Sequence, residues 1–397
     1  MGELSERDRR WAAVMEAARD LAPVFERRSL EHYDEGGFAA ENIADLVAAG
    51  VTAINVPAAL GGIEATLAEN VELLKTVAAG CGSTAFALSI HTVITASLRD
   101  QTGGPWHEKL MRAVADGAFV IGPFTDESSG SNWTRPSTTA RRDGDGFVLD
   151  GLKHFATGFD AATHLIVTAA VADGILEPPF DLSAFVVETA AAGDGLRVER
   201  PWRGGALTMT GSHSLRLDGL RVDGDAQLFP DGLAPLFVMS RQQWGHYCFA
   251  AVFLGLAERA YELAVETTKG RSNTAVRDVG RLPGVQFAIA RMRARLATMN
   301  ALLTAYATEH VEPGEDLLGF VADTCVPKYF VTAEAEAVVS AAFEVIGGSA
   351  IRDGSRIAQI WRDVKAGPLL PFTADQAREF IGKQAFGISP IETPRWM

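Results

Sequence analysis

Several short segments combine residue types that can do chemistry, and the first of them follows a predicted strand. The chain from Thr125 to Asn132 reads Thr-Asp-Glu-Ser-Ser-Gly-Ser-Asn. Small hydroxyl residues around a glycine leave backbone N–H groups open, so such a loop can line a cofactor ring or bind a carbonyl or phosphate oxygen. An ordinary turn has the same composition, and this alternative stays open.

A second candidate segment ends a predicted long helix near the C-terminus. Glu344-Val345-Ile346 runs into the pair Gly347-Gly348, and Arg362-Asp363 follows further on. A glycine pair permits a ligand to approach the backbone closely. A helix C-cap explains the same pair equally well.

The composition is that of a globular chain and argues against several partners. Of 397 residues, 36 are Lys or Arg and 50 are Asp or Glu, a net charge of −14, and 47% are hydrophobic. Such a charge repels phosphate backbones and acidic lipids, so we expect neither nucleic acid nor a membrane as a partner. The charged first thirty residues and the lack of a long apolar run predict a cytoplasmic protein. Cys81, Cys248 and Cys325 are far apart, which favours buried thiols over a disulfide or metal site.

Hydrophobic periodicity divides the chain into helices, then strands, then helices again. Steps of three and four residues predict amphipathic helices at both ends, seen at Trp11, Val14, Ala18 and Leu21 and again at Ile289, Met292, Leu296, Met299 and Leu303. Between Ala118 and Val222, short apolar runs bounded by Gly, Asp and Pro predict strands. We therefore predict an α+β chain with a helical domain at 1–117, a β domain at 118–229 and a helical domain at 230–397. This order disfavours a Rossmann fold.

The joint order of these motifs resembles the acyl-CoA dehydrogenase family across nearly the whole chain. Cys81 to Ala85 is similar to the family's N-terminal helical segment, and Thr125 to Asn132 resembles its first signature. Lys153 to Thr157 resembles the stretch that lies against the flavin, with Phe155 where Trp is common. Glu344 to Asp363 resembles the second signature. Each motif is weak alone, but together in this order they indicate the family.

The resemblance implies a three-domain flavoprotein that binds FAD between a middle β-barrel domain and a C-terminal four-helix-bundle domain. It also implies a homodimer or homotetramer. Carried over by position, the residues expected to bind the cofactor are Thr125, Ser131, Phe155, Thr157, Arg271, Gln286, Gly347, Gly348 and Thr373. A pyrophosphate needs a guanidinium or a helix N-terminus beside it, and Arg277 is a rival to Arg271 for this role.

The catalytic base of the family is missing from both of its usual positions. Members remove the α-proton of an acyl thioester with a carboxylate while a hydride passes to the flavin. The two usual Glu positions fall on Pro371 and Gly245. His246 follows Gly245 directly and is the candidate base, with a packed helix histidine as the alternative. Asp375 and Glu379 are other reachable carboxylates, although acidic residues are also typical of a helix start.

Three functions stay open at this point. On the frequency of activities in the family we expect dehydrogenation of an acyl thioester of CoA or a carrier protein, with an electron-transfer partner. The first alternative is a two-component monooxygenase, in which a flavin reductase supplies reduced FMN or FAD and oxygen hydroxylates nitrogen, sulfur or an aromatic carbon. Arg362 to Gly367 resembles the sugar N-oxygenases of that branch, and His91 is its candidate catalytic residue. The second alternative is a flavin-binding subunit without catalysis.

Overall fold

The fold is taken from a computed structural model that describes residues 4–99, 105–127, 135–172, 175–272, 278–309, 313–389 and 392. Helices come first, strands follow between Val120 and Val222, and helices return to the end. The predicted boundaries, 117/118 and 229/230, fall in connecting segments, and the division into domains stays a prediction.

In the part of the chain that the structure describes, five α-helices come first: α1 (Glu6–His32), α2 (Ala40–Ala48), α3 (Leu67–Gly80), α4 (Gly82–Leu98) and α5 (Pro105–Ala115). Helix α3 begins at a capping box, in which Thr66 accepts from the backbone N–H of Glu69 and the Glu69 carboxylate accepts from that of Thr66. Helix α4 is buried along nearly its whole length. Because it carries apolar or small residues on every side, it forms the centre of this helical part.

The described residues contain eight strands, which form one curled sheet and confirm the predicted middle β domain. They are β1 (Val120–Ile121), β2 (Thr125–Asp126), β3 (Thr139–Asp143), β4 (Gly146–Ala156), β5 (His164–Val171), β6 (Leu182–Glu188), β7 (Leu196–Arg200) and β8 (His213–Val222). The order is β1-β5-β3-β4-β8-β7, with β2 paired to β4 and β6 paired to β5. Strands β3 and β4 form a hairpin, and Gly144 in its turn has a φ of 65° that favours glycine.

The C-terminal part contains α6 (Ala234–Ser240), α7 (Gln242–Thr268), α8 (Pro283–Thr308), α9 (Leu317–Ile346), α10 (Arg356–Val364) and α11 (Ala374–Ala385). Helices α7, α8 and α9 pack on one another, and α11 packs on α9, as the predicted bundle requires. The predicted stripe on α8 faces this core, since Met292, Leu296, Met299 and Leu303 are buried. The three cysteines are buried free thiols, as predicted.

Asp363 joins the N-terminal helices, the middle domain and α10. Its buried carboxylate accepts from the Tyr33 hydroxyl at 2.6 Å and from the backbone N–H of Leu207 at 2.6 Å. Arg356, two helical turns earlier on α10, donates to the carbonyl of Gly80 at 2.7 Å. Burial raises the pKa of Asp363, and the two donors and nearby arginines oppose that shift. The second signature thus fixes how the parts of the chain meet.

Within the ranges described, no helix is both long and apolar enough to cross a bilayer.

Candidate active site

The end of β4 presents an exposed aromatic side chain. Phe155 has a φ of 54°, which is rare for a bulky residue, and its side chain is 56% exposed. Its ring meets Trp202 edge to face at 6.0 Å. Trp202 is itself held in place, because its indole N–H donates to the carbonyl of Leu207 at 3.1 Å and its backbone N–H donates to His213 Nδ1 at 2.8 Å. Phe155 and Trp202 together are called the aromatic wall below.

Thr157 begins a chain of hydroxyl groups next to this wall. Its Oγ1 lies 2.8 Å from Ser212 Oγ, which lies 2.7 Å from Thr210 Oγ1. Thr210 donates to the carbonyl of Leu207 at 2.9 Å. Each hydroxyl has one proton, and that of Thr210 is used on the Leu207 carbonyl. Ser212 therefore donates to Thr210, and Thr157 donates to Ser212. The free lone pairs of Thr157 Oγ1 can then accept a bond from a ligand.

The first signature is anchored by a buried ion pair that the sequence analysis did not predict. Thr125 lies opposite His154 and Asp126 opposite Lys153, so β2 runs beside the strand that carries Phe155. Lys153 donates to Asp126 at 2.8 Å, and both side chains are fully buried. Asp126 also accepts from the backbone N–H of Thr138 at 2.9 Å, and burial lowers the pKa of Lys153 against the opposing effect of Asp126. Ser131 lies outside the described residues.

Arg271 and the glycine pair are brought together at the end of α9. The Arg271 guanidinium donates to the carbonyl of Ile346 at 3.0 Å, directly before Gly347. A Cβ atom built on Gly347 or Gly348 meets nothing within 4 Å, so the backbone there is open. Gln286 is exposed near the start of α8 and donates to the carbonyl of Gly280 at 3.1 Å. Arg277 lies outside the described residues.

His246 lies at the start of α7 and is 2% exposed. Its Nδ1 is 2.9 Å from Thr324 Oγ1, and Thr324 donates to the carbonyl of Val321 at 2.8 Å. Since the single Thr324 proton is used in this way, His246 donates through Nδ1–H and Nε2 carries a lone pair. Nε2 is buried and has no hydrogen-bond partner in the part of the chain described. Burial, with a smaller effect from the charge of Lys328, lowers the pKa of His246 to about 3.

Lys328, which no sequence motif indicated, fixes the segment that covers His246. Its ammonium is buried and donates to the carbonyls of Leu370 at 2.8 Å and Phe372 at 2.5 Å. The Phe372 ring lies 5.4 Å from that of His246. Burial lowers the pKa of Lys328 to about 8. Thr373 uses its hydroxyl in the capping box that begins α11, where it accepts from the backbone N–H of Gln376 at 3.3 Å.

Gln243, which the sequence motifs did not indicate as a site residue, lies one helical turn before His246. It is 2% exposed, and neither its amide oxygen nor its amide nitrogen has a partner among the described residues. Residues three apart on a helix share a face, so the Gln243 amide and His246 Nε2 lie on the same side of α7. The signal in the sequence was this polar pair at helical spacing, directly before the apolar run from Tyr247 to Ala257.

His91 lies in the buried helix α4, and both of its ring nitrogens have backbone partners. Nε2 donates to the carbonyl of Thr52 at 2.8 Å, and Nδ1 accepts from the backbone N–H of Val120 at 3.0 Å. The ring stacks on Phe119 at 4.8 Å. Burial lowers the pKa of His91 to about 4. These contacts are those of a histidine that joins α4 to β1, and its catalytic role stays a prediction.

Three sequence models of the acyl-CoA dehydrogenase family match the chain in order. The N-terminal domain matches residues 10–117, the middle domain residues 123–220 and the C-terminal domain residues 247–370. The matched ranges cover most of the chain.

Curated relatives with different activities resemble the chain over most of their length. A putative acyl-CoA dehydrogenase, YdbM of Bacillus subtilis, is 26% identical over 96% of this chain and 98% of its own. L-evernosamine nitrososynthase of a Micromonospora species is 27% identical, covering 93% of this chain and 89% of its own. Dibenzothiophene monooxygenase of Mycolicibacterium goodii is 25% identical, covering 88% of each chain.

Solved structures share the fold. Butyryl-CoA dehydrogenase of Megasphaera elsdenii superimposes with a TM-score of 0.86 at 19% identity, over 97% of this chain and 100% of its own. KijD3 in complex with FMN and a dTDP-linked amino sugar superimposes with a TM-score of 0.86 at 22% identity, over 98% of this chain and 96% of its own. At these identities the likeness shows the fold alone.

Proposed function

The chain belongs to the acyl-CoA dehydrogenase family, and from this premise we propose that it is a flavin-dependent monooxygenase acting on a small molecule. The membership confirms the predicted family and the class of flavin-dependent oxidoreductase. One observation carries the choice of reaction: the two positions of the family's carboxylate base hold Gly245 and Pro371, and the nearest candidate, His246, is 2% exposed with its Nδ1–H used on Thr324.

Dehydrogenation of a thioester requires a group that takes a proton from the α-carbon. A general base works best when its pKa is close to the working pH. An imidazole with a pKa of about 3 is a very weak proton acceptor, and the positions of the family's carboxylates hold Gly245 and Pro371. Asp375 is exposed and paired with Arg378 at 2.6 Å, which fits a helix start. Hydroxylation by activated oxygen needs no such base, and this favours the monooxygenase.

The residues present fit a flavin. The exposed Phe155 of the aromatic wall offers a flat apolar surface to a ring system, and the Thr157 hydroxyl offers an acceptor beside it. Gly347 and Gly348 leave open space for a close approach, with the Arg271 guanidinium adjacent for a phosphate. When bound in reduced form, a flavin would supply the electrons that activate oxygen. FAD or FMN fits this arrangement, and a separate reductase is the partner that the proposal requires.

Dehydrogenation of an acyl thioester, with an electron-transfer protein as partner, is the second candidate. It is supported by the Thr157 hydroxyl, which we expect to face the flavin from the resemblance to the family and whose lone pairs are available. A relative named a putative acyl-CoA dehydrogenase also matches 96% of the chain. A homodimer or homotetramer is proposed for either function on the basis of the family.

One comparison of two reactions tests the proposal. The purified protein is loaded with oxidised FAD or FMN and mixed anaerobically with acyl-CoA thioesters of different chain lengths, and flavin absorbance is followed. In parallel, reduced flavin, oxygen and a panel of amines, thioethers and aromatic compounds are supplied. We expect no loss of flavin colour in the first reaction and hydroxylated product in the second. Bleaching by a thioester selects the dehydrogenase, and inactivity in both with flavin bound selects the non-catalytic subunit.

A further inference from the structure

Two buried polar groups at the start of α7 have no hydrogen-bond partner among the residues that the structure describes. They are Nε2 of His246 and the side-chain amide of Gln243, each in a residue that is 2% exposed. A buried polar atom without a hydrogen bond costs free energy, and native proteins keep few of them. Two such groups on one helical face therefore point to a ligand that supplies the missing bonds.

The chemistry of the two groups restricts that ligand. Because Nδ1–H of His246 is used on Thr324, its Nε2 can only accept, so the ligand must donate through N–H or O–H. Gln243 can both accept and donate. The buried ammonium of Lys328 acts on the same imidazole, and its positive charge disfavours a cationic ligand there. The fitting group is a neutral hydroxyl, an aromatic N–H, or an amine in its free-base form.

We propose that His246 Nε2 and the Gln243 amide form a recognition pair that binds a neutral N–H or O–H group of the substrate. This inference rests on the proposed monooxygenase function and names its substrate class: hydroxylated or amino compounds rather than sulfur heterocycles that have no donor. A site that pairs with a donor discriminates strongly against analogues without one, since its own groups are then left buried and unpaired.

Matched ligands test the pair without any turnover. Indole and benzothiophene are similar in size and differ in having an N–H or a sulfur, and phenol and toluene form a second pair. Titration calorimetry of the full chain loaded with oxidised FMN measures the four affinities. We expect each donor to bind at least about tenfold more tightly than its partner, because the site's groups pair only with the donor. Gln243→Leu and His246→Phe should each remove most of this preference.

Nitrogen NMR of the histidine rings supplies a readout that does not depend on the variants. His246 should be the Nδ1–H tautomer and His91 the Nε2–H tautomer, from their different partners. Indole should shift the Nε2 resonance of His246 and leave that of His91 in place, which makes His91 an internal control. Equal affinity within both pairs, no binding of either donor, or a preference that survives both variants overturns the proposal. Oxygen-dependent turnover without donor preference would overturn this inference alone, whereas donor preference without turnover would overturn the proposed function alone.

Discussion

At the scale of single residues, Gln243 is a polar side chain whose burial lowers stability. Its amide has no partner among the described residues, so Gln243→Leu removes an uncompensated desolvation cost while keeping the volume. We expect the free energy of unfolding to rise by about 1 kcal/mol in this variant. Denaturant unfolding measures the change.

Asn70 provides the matched control for this substitution. It is also a buried amide, but it donates to Asn55 at 2.9 Å and to the carbonyl of Thr66 at 2.9 Å. Asn70→Leu leaves those groups unpaired and should lower stability by about 1–3 kcal/mol. If Gln243→Leu destabilises as much as Asn70→Leu does, the Gln243 amide has partners in the folded protein and our description of it is wrong.

His246 also predicts a dependence of stability on pH. Its pKa is about 3 in the folded protein against an ordinary value of 6.5, so between these values the unfolded chain binds a proton that the folded chain does not. The folded protein therefore loses stability relative to the unfolded chain as the pH falls through this window. Above the ordinary pKa, His246 causes no such loss. The expected loss is about 1.4 kcal/mol per pH unit.

The variant His246→Phe isolates this effect from the other titrating groups. Other groups contribute to the total, among them His91 with the same sign and Asp363 with the opposite sign. Between about pH 4 and 6, the free energy of unfolding of the variant should change less steeply with pH than that of the wild type. The difference in slope should correspond to one bound proton. Identical slopes would mean that His246 titrates normally in the folded state.

At the scale of elements, the Asp126–Lys153 pair holds β2 to β4. Neither side chain is exposed, so removing one partner leaves a buried charge without compensation. We expect Asp126→Asn to lower the free energy of unfolding by about 3 kcal/mol. Thermal or denaturant unfolding measures the loss, and flavin affinity should fall with it because Phe155 lies at the end of β4 and Thr157 follows that strand directly.

An exposed ion pair of the same sheet serves as the control for that change. Arg221 on β8 pairs with Asp143 at the end of β3, and the Arg221 side chain is 77% exposed. Asp143→Asn should cost less than about 1 kcal/mol, because solvent screens such pairs. Similar costs for the two substitutions would show that the burial of Asp126 has no energetic consequence.

At the scale of the whole molecule, we expect Asp363 to couple the unfolding of the parts of the chain that it joins. Asp363→Ala leaves the Tyr33 hydroxyl and the Leu207 N–H buried without an acceptor, at a cost of about 1–3 kcal/mol for each. We expect calorimetry to show a lower melting temperature and a broader transition, as the N-terminal helices separate from α10. Asp34→Ala, which removes only a solvent-exposed partner of Arg362, should leave the transition unchanged, and a similar broadening there would contradict this role.

The order of helices, strands and helices was predictable because it depends on local patterns. The stripe from Met292 to Leu303 is periodic in the sequence and buried in the fold, and the glycines around β3 and β4 mark a real hairpin. The family was predictable from motifs for the same reason.

The partners of the site residues were not predictable, since they come from distant parts of the chain. Lys328 binds carbonyls at Leu370 and Phe372, and Asp363 binds Tyr33 and Leu207. No spacing between residues in the sequence predicts such contacts. The same holds for the buried Gln243 amide, which has no partner in the described ranges, and for the pKa of His246, since both depend on burial by other elements.

The origin of the oxygen atom in the product is the most direct test of the proposed monooxygenase reaction. The protein is supplied with reduced flavin, isotopically labelled oxygen gas and a substrate that bears a hydroxyl or N–H group, and the product is analysed by mass spectrometry. We expect a product that contains one labelled oxygen atom per molecule. A desaturated acyl thioester formed without oxygen, with the flavin reduced in its place, would contradict it.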